Sequence, residues 1–409
     1  MIEIPQAVHT AALELQRQQA DPLAAYIYDL PALDAHLQRL TDDLPPQVAL
    51  FYAVKANPDP RILHRVASRV HGLEIASGGE LQLIEPLRDS GPFIFGGPGK
   101  LDSEIVAALA AGVDALHVES AGELERVIAQ AESAGLVAPV LLRINPRLPE
   151  SMRTRLTMAG CATAFGIDEE TLPGVIARAR ASRWVDLQGF HIHALSHQLD
   201  AERHLSLLDH LLRLCLDLAQ AHGVELRTLN LGGGIGVNYT DPAQQYDWSR
   251  FAAGLHERVE QPALRDIRLR FEMGRYLTAF CGYYLMEVMD LKRNHGEQFA
   301  ICRGGSHQFR LPPAQGHSHP FVCLPGQGRH PAGRTLHNVS LSVAGQLCTP
   351  KDILARQAEV ERVAVGDLLL FPLAGAYAWN ISHQNFLCHP APLFHYLDED
   401  LDMSLEESR

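Results

Sequence analysis

The sequence predicts an α/β fold in which a (β/α)8 barrel is followed by a C-terminal all-β domain. Three observations support this prediction. Short β-rich runs alternate with helical patterns from about residue 48 to residue 275, these runs number eight, and the alternation stops after residue 275. Strands that alternate with helices pair in parallel, and eight such units close into a barrel more naturally than they form an open sheet.

Eight segments have the composition of buried strands. They are residues 48–55, 72–77, 92–97, 115–120, 139–145, 185–194, 227–233 and 267–274. Helical spacing is clear at residues 121–135 and at residues 200–223, where Leu205, Leu208 and Leu212 recur between an Asp and a Gly.

The domain boundaries follow from the change of rhythm. Residues 31–275 are assigned to the barrel. Short β-like runs separated by Gly, Pro and His predict an all-β domain at residues 276–397, which also includes residues 1–30 because A-A-Y-I-Y-D at 24–29 is a lone strand before the barrel. Residues 398–409 contain six acids and one Arg and predict a frayed tail.

Composition excludes several classes of function. The chain has 35 Lys and Arg against 48 Asp and Glu, a net charge of −13, so binding to nucleic acid or to anionic membranes is not expected. No run approaches the roughly 18 apolar residues of a membrane span, and the start lacks a signal-peptide pattern. The seven cysteines are scattered without a Cys-x-x-Cys, which favours a cytoplasmic location over a disulfide framework.

Polar residues collect where the predicted strands end, which is the active-site face of such barrels. The chain contains only four lysines, and Lys55 directly ends a predicted strand. A lysine amine, a glycine-rich turn for a phosphate and a carboxylate for a ring nitrogen suit pyridoxal 5′-phosphate. The residues at this rim include Lys55, Arg143, His193, Ser196, Gly232, Gly233, Gly234, Glu272 and Arg275.

Six motifs resemble the fold-type III pyridoxal-phosphate decarboxylases, which have an alanine racemase-like barrel and include the diaminopimelate, ornithine and arginine decarboxylases. The resemblance runs in order over about residues 24–395 and implies pyridoxal 5′-phosphate as cofactor and a homodimer with shared active sites. The motifs are F-Y-A-V-K-A-N (51–57), G-F-H-I-H-A-L-S (189–196), L-N-L-G-G-G-I-G (229–236), F-E-M-G-R (271–275), C-T-P-K-D (348–352) and G-A-Y (375–377).

The resemblance also implies roles for individual residues. Lys55 would bind the cofactor covalently, and Glu272 would pair with its pyridine nitrogen. Cys348 would act across the dimer and deliver a proton after carbon dioxide leaves. Asp352 follows at the family's spacing and is assigned, with Arg143, to the substrate. The other cofactor-binding positions match His193, which stacks on the ring, and, for the phosphate, Ser196, Gly232, Gly233, Gly234, Arg275 and Tyr377.

The sequence departs from the family pattern at four positions. Met273 stands in the E-P-G-R motif, Leu195 replaces the Gly of H-I-G-S, and Ala164 replaces the Lys of S-K-F-G. Thr349 stands where an acid usually follows the catalytic Cys and binds the distal ammonium of the substrate. A hydroxyl cannot replace that ion pair, so a free diamino acid is disfavoured as the substrate.

Residues 298–351 contain no Asp or Glu, so this segment is basic in a chain that is acidic overall. The inversion predicts a pocket for an anionic substrate, with Arg303, His307 and Arg310 as candidates. A solvated surface and a metal cluster at His317 and His319 are the alternatives. The motifs R-G-G-S-H-Q-F-R-L-P (303–312) and H-S-H-P-F (317–321) also resemble the siderophore branch of the family, whose enzymes decarboxylate an amino acid attached to citrate or a similar polycarboxylate.

The leading hypothesis is a pyridoxal-phosphate-dependent decarboxylase for a citryl-linked diamino acid in siderophore biosynthesis. The alternatives are diaminopimelate decarboxylase of lysine biosynthesis, a racemase of the same fold, and a non-catalytic regulatory protein that binds the cofactor. No metal is expected, because the strand pair His191 and His193 has no carboxylate at matching spacing. Lys100 in G-G-P-G-K is open between a structural and a substrate-side role.

Overall fold

A computed structural model describes residues 3–149, 159–326 and 333–398. Residues 399–409, which are nearly all of the predicted acidic tail, lie outside the described residues. The chain divides into two compact units. The barrel unit comprises His36–Val237 and Gln245–Leu277, and the β unit comprises Met1–Ala35, Asn238–Gln244 and Thr278–Arg409.

Eight parallel strands of the barrel unit form a closed barrel, which confirms the predicted (β/α)8 fold. Numbered in chain order over both units, the eight strands are β2 (Val48–Ala53), β3 (Gly72–Ile75), β4 (Phe93–Phe95), β5 (Ala115–Val118), β6 (Ala138–Asn145), β8 (Val185–His191), β9 (Thr228–Asn230) and β10 (Arg268–Met273). The ring runs in the order β5, β4, β3, β2, β10, β9, β8 and β6, and pairing of β5 with β6 closes it. A two-residue strand, β7 (Ile167–Asp168), pairs with the end of β6.

Helices connect these strands, and the predicted helices at 121–135 and 200–223 are confirmed as α6 and α8. The helices are α2 (Leu30–Asp42), α3 (Pro60–Ala67), α4 (Gly78–Ile84), α5 (Asp102–Ala110), α6 (Ala121–Ala134), α7 (Leu172–Ala181), α8 (Ala201–His222), α9 (Trp248–Val259) and α10 (Arg275–Thr278). Both α6 and α8 begin after a side chain that caps a backbone N–H, Ser120 or Asp200, and end at a left-handed glycine, Gly135 or Gly223.

Apolar side chains dominate the barrel strands. Ala49, Phe51, Ile94, Ala115 and Leu141 come from four of these strands and form one buried cluster. Strands of a parallel barrel are covered on both faces, so their sequences are nearly continuous apolar runs. A polar side chain in such a strand is therefore an exception, and its partners indicate what it does.

The β unit contains a largely antiparallel sheet. Strand β1 pairs with β11 and β17, whereas β11 also pairs with β12 and β16. The pairs β12–β14 and β1–β17 are parallel. The strands of this unit are β1 (Ala24–Asp29), β11 (Gly282–Asn294), β12 (Glu297–Cys302), β13 (Val322–Leu324), β14 (Thr335–Ala344), β15 (Ile353–Ala364), β16 (Leu368–Phe371) and β17 (Leu393–Leu397).

Two helices in the β unit were not identified from the sequence, α1 (Gln6–Gln18) and α11 (Leu311–Gln315). Helix α1 buries Val8, Ala11 and Ala12 in the same apolar cluster as residues of β1, β11 and β16. Small residues on one helical face give a weak periodic signal, which explains why this helix was missed. None of the described helices has the length and apolar content needed to cross a membrane.

Candidate active site

Lys55 lies at the carboxyl end of a barrel strand. It occupies the short 3-10 turn Val54–Ala56 that follows β2 directly. Its Nζ donates to Oε2 of Glu74 in β3 at 2.6 Å, and the Lys55 side chain is 47% exposed whereas that of Glu74 is 4% exposed. Glu74 was not predicted from the sequence, although an acid inside the apolar strand G-L-E-I was a usable signal. The pair presents an accessible amine beside a carboxylate that can accept its proton.

Glu272 in β10 is buried among polar side chains from three other strands. Its Oε1 accepts a hydrogen bond from Nδ2 of Asn230 at 2.8 Å and lies 3.3 Å from Nδ1 of His117. Its Oε2 lies 3.6 Å from Nε2 of His191. Burial, and then the charge of Glu74, raises the pKa of Glu272 to about 8.

The two histidines beside Glu272 are neutral. Burial lowers the pKa of His117 and that of His191 well below the usual value, and nearby basic side chains lower both further. The rings of the two residues contact each other at a centroid distance of 4.1 Å, with their planes tilted by 34°. With the carboxyl pKa raised and both imidazole pKa values lowered, these contacts join neutral groups and are not ion pairs.

The same three side chains form the group of potential metal ligands found among the described residues. Donor atoms of His117, His191 and Glu272 lie within 4.8 Å of one another, so the carboxylate that the sequence spacing lacked comes from β10. His317 and His319 contact each other at 2.9 Å without joining such a group. Nearby cationic side chains lower the pKa of His117, and their positive charge also disfavours a divalent ion beside His117, His191 and Glu272. These cations are Lys100, Arg143, Arg270 and Lys55.

The glycine-rich turn after β9 lies directly against β10. A Cβ at Gly233 would be 1.8 Å from the carbonyl oxygen of Glu272, and Gly232 and Gly234 have φ values of 68° and 94°. Only glycine suits such a turn, because the absence of a Cβ lets its backbone approach other groups closely. The N–H of Gly233 donates to Nδ1 of His193 at 3.2 Å, and burial lowers the pKa of His193 to about 3, so this ring is neutral.

Arg143, which was predicted to bind the substrate, and Lys100, whose role was left open, both pair with acids inside the barrel unit. Arg143 donates to Oε1 of Glu119 at 2.8 Å. Lys100 is 4% exposed and donates to Glu123 and to the carbonyl oxygens of Gly97 and His117. These contacts favour the structural interpretation of Lys100, because a buried amine that makes three hydrogen bonds is satisfied by the protein.

The β unit carries the Cys348 motif in the connection between β14 and β15. Cys348 is exposed. Asp352 is 2% exposed, and its two oxygens accept from the backbone N–H groups of Ser306 and Leu347 at 2.6 and 2.8 Å. Burial raises the pKa of Asp352. Its carboxyl thus ties the loop after β12 to the Cys348 turn.

Arg303 and His307 are also directed into the β unit. Nη1 of Arg303 donates to Oε1 of Gln346 at 2.6 Å, and Nε2 of Gln346 contacts Nδ1 of His389 at 2.8 Å. His307 is 1% exposed, its ring lies 5.1 Å from that of His389, and burial lowers its pKa to about 4. Both side chains therefore support the loop from within.

Arg310 differs from these residues because it is exposed and lines a cavity of about 810 Å³ inside the β unit. None of the residues that line this cavity is acidic, and neither Arg310 nor Lys351 forms an ion pair within the described part of the chain. The polar lining consists mainly of Ser306, Arg310, Thr349, Lys351, His383 and Asn385.

Three other residues that were predicted to bind the cofactor lie in connections or at the start of a helix. Ser196 follows β8 and is partly exposed, and Arg275 is the first residue of α10. Tyr377 belongs to the β unit and has a φ of 50°. The neighbouring Gly375 permits close packing there, since a Cβ at this position would lie 1.9 Å from the carbonyl oxygen of Thr278.

Comparison with known families identifies this arrangement. The family described as "Pyridoxal-dependent decarboxylase, pyridoxal binding domain" matches residues 30–279, which contain the barrel strands, Lys55 and Glu272. The chain belongs to this family. The predicted family is confirmed: the protein is a decarboxylase, and its cofactor is pyridoxal 5′-phosphate.

Relatives of this decarboxylase match along nearly its whole length. It is 40% identical over 392 residues to the 2-[(L-alanin-3-ylcarbamoyl)methyl]-2-hydroxybutanedioate decarboxylase of Staphylococcus aureus, covering 95% of this chain and 97% of that protein. It is 30% identical to the L-glutamyl-[BtrI acyl-carrier protein] decarboxylase of Niallia circulans, covering 90% and 87%. The diaminopimelate decarboxylase of Helicobacter pylori, solved with L-lysine, is similar with a TM-score of 0.82 at 25% identity, covering 95% and 94%.

The raised pKa of Glu272 predicts how the cofactor-free decarboxylase responds to pH. A carboxyl whose pKa rises from 4.5 to about 8 on folding is protonated in the folded chain and ionised in the unfolded chain between these values. Its contribution to stability is thus present below about pH 4.5 and is lost as the pH rises towards 8, by about 1.4 kcal/mol for each unit of pKa shift. The melting temperature of Glu272→Gln should therefore rise relative to wild type from pH 5 to pH 8. If the melting temperatures of wild type and Glu272→Gln changed in parallel over this pH range, the raised pKa would be contradicted.

Proposed function

We propose that the protein removes the α-carboxylate of an amino acid whose side chain is conjugated to a hydroxy-polycarboxylate such as citrate, a reaction of siderophore biosynthesis. The observation that carries this proposal is the basic cavity of the β unit, which has no acidic lining residue among those described. The name of the S. aureus relative supports it, because that name describes an alanine group joined through an amide to a hydroxybutanedioate.

The cofactor is held by the carboxyl ends of the barrel strands. Lys55 would bind it covalently, and Oε2 of Glu74, 2.6 Å from Nζ, would accept the proton that the amine loses. Glu272 would pair with the pyridine nitrogen, and His193 would stack on the ring. When bound, the cofactor would supply a sink for the electron pair of the bond that breaks. The backbone of the glycine turn binds the phosphate, with assistance from Ser196, Arg275 and Tyr377.

The substrate is bound by the β unit. Arg310 and Lys351 lie in the cavity lining and have no acidic partner among the described residues, so they are available to bind carboxylates. Arg303, His307 and Asp352 act indirectly, because their contacts hold the loops that carry this lining. Arg143 also acts indirectly, because it is buried in the barrel unit and paired with Glu119.

The protein works as a homodimer with shared active sites, as the family resemblance implies, and it works in the cytoplasm, which the scattered cysteines favour. In this arrangement Lys55 and Cys348 of one site come from different subunits. The thiol of Cys348 is exposed in the β unit and delivers the proton to the substrate carbon after carbon dioxide leaves.

The assignment of Lys55 predicts a single labelled peptide. Borohydride reduction of the holoenzyme should fix the cofactor on the peptide that contains Lys55, because this amine is accessible and lies beside a proton acceptor. Peptide mass spectrometry locates the adduct, and Lys55→Arg is the control that should carry none. An adduct on Lys100, or no adduct on the wild-type protein, would refute the assignment.

A shared site predicts complementation. Cys348→Ala should retain cofactor and lose most turnover, and Lys55→Ala should lose both. After subunit exchange of the two inactive variants, up to about a quarter of wild-type activity should return, because one hybrid site carries both residues. Carbon dioxide release measures this, and two differently tagged chains verify exchange. Full exchange without any recovered activity would contradict the shared site.

The basic cavity predicts the choice of substrate. Carbon dioxide release should be efficient from a citryl-linked diaminopropionate and poor from free meso-diaminopimelate. Arg310→Ala should raise KM for the conjugate about tenfold, near the lower end for a charge-assisted hydrogen bond because this side chain is exposed. Arg293→Ala, at the exposed end of β11, is the matched control and should behave as wild type.

The comparison of substrates also tests the alternatives. The N. circulans relative acts, by its name, on a glutamyl group attached to an acyl-carrier protein, so a carrier-linked substrate is the third arm of the assay. Efficient turnover of meso-diaminopimelate without turnover of the conjugate would overturn the proposal in favour of lysine biosynthesis.

A further inference from the structure

Asn230, the last residue of β9, has an amide whose orientation is fixed by its neighbours. Its Oδ1 accepts a hydrogen bond from the N–H of Gly232 at 3.0 Å. Because the oxygen is engaged there, Nδ2 points to the other side, where it donates to Oε1 of Glu272 at 2.8 Å and lies 3.4 Å from Nε2 of His117. An amide nitrogen carries two hydrogens and accepts none, so both contacts are donations.

This orientation determines the tautomer of His117. The His117 side chain is fully buried, and its Nε2 can accept from Asn230 only if this nitrogen carries no hydrogen, so the ring is neutral and has one N–H. Since Nε2 accepts from Asn230, the hydrogen must be on Nδ1. That nitrogen has no hydrogen-bond partner among the described residues, and Oε1 of Glu272 lies 3.3 Å from it.

We propose that Asn230 and His117 are positioning residues for Glu272: Asn230 donates to Oε1 and holds His117 in the tautomer whose Nδ1 hydrogen lies beside the same oxygen. This inference rests on the role proposed above for Glu272 towards the pyridine nitrogen. Because Oε1 accepts from Asn230 and lies 3.3 Å from Nδ1 of His117, Oε2 is the oxygen that remains to meet the cofactor.

The arrangement links the two ends of the cofactor site. Gly232 begins the turn proposed to bind the phosphate, and its carbonyl oxygen accepts from the N–H of Glu272 at 2.6 Å while its own N–H donates to Asn230. The position of the turn and the direction of the carboxyl are therefore set by one short network. His191 is a weaker contributor, because its nearest nitrogen is 3.6 Å from Oε2.

The tautomer can be observed directly in the holoenzyme. Protein labelled with ¹⁵N-histidine gives ring-nitrogen signals whose shifts distinguish protonated from unprotonated nitrogens, and His117→Phe identifies the signal of His117. We expect Nδ1 to be protonated and Nε2 to be unprotonated. Protonation of Nε2 in the wild-type enzyme overturns the proposal, whatever the activity of any variant.

Asn230→Asp tests the cause of this tautomer. The second oxygen of an aspartate accepts and does not donate, so His117 should transfer its hydrogen to Nε2, and the two signals should exchange character. An unchanged tautomer in a folded Asn230→Asp protein would overturn the role of Asn230. The wild-type spectrum keeps the proposal testable where this variant does not fold.

Cofactor retention separates positioning from a packing role. His117→Phe keeps a ring without the N–H and should weaken binding of pyridoxal phosphate about tenfold in equilibrium dialysis, whereas His117→Asn retains a donor and should restore most of it. In the Glu272→Gln background, His117→Phe should add less than about twofold, because the residue acts through the carboxylate. Equal losses in both backgrounds would show packing alone and overturn the proposal.

His71→Asn is the matched control, because His71 directly precedes β3 of the same barrel and its Nδ1 accepts from the backbone N–H of Leu50 in β2. It should not change cofactor retention. The two proposals fail separately: an adduct on Lys55 with Nε2 of His117 protonated rejects only the positioning role, whereas an adduct elsewhere rejects the proposed site whatever the tautomer.

Discussion

The burial of Glu272 is the constraint on which the rest of the barrel site depends. A carboxyl with little access to water favours its neutral form, and here the nearby charge of Glu74 raises the pKa further. The surrounding strands supply the amide of Asn230 and neutral imidazoles rather than a fixed ion pair. A carboxyl in this state becomes ionised when a cation arrives beside it. On the function proposed above, the protonated ring nitrogen of the cofactor is the cation that would ionise Glu272.

The glycine turn depends on the same residue through the backbone. No side chain fits at Gly233, since its Cβ would overlap the carbonyl oxygen of Glu272. The turn can therefore lie against β10 only as glycine, so the position of the turn and the direction of the carboxyl are fixed together. This is a physical reason for three successive glycines, beyond the conformational freedom of any one of them.

Sequence patterns predicted the features that depend on residues close to one another along the chain. The strand rhythm predicted the closed barrel, and Lys55 and Glu272 were found at strand ends. Glu74, His117 and Asn230 were missed, because each is a single polar residue in a separate apolar strand. Only closure of the barrel makes β3, β5, β9 and β10 contribute to one cluster. The inverted charge of residues 298–351 predicted a basic pocket. Composition does not show which way a side chain points, so the inward contacts of Arg303 could not be predicted from it.

Partners distinguish the basic groups that support the fold from those available to a ligand. In the barrel unit, Lys100 is paired with Glu123 and Arg143 with Glu119, and these buried charges are balanced by the protein itself. In the β unit, Arg310 and Lys351 line a cavity without acidic residues. An acid in place of Thr349 would offer these cations an internal partner. On the function proposed above, the absence of an acid at this position leaves Arg310 and Lys351 available to a carboxylate of the substrate.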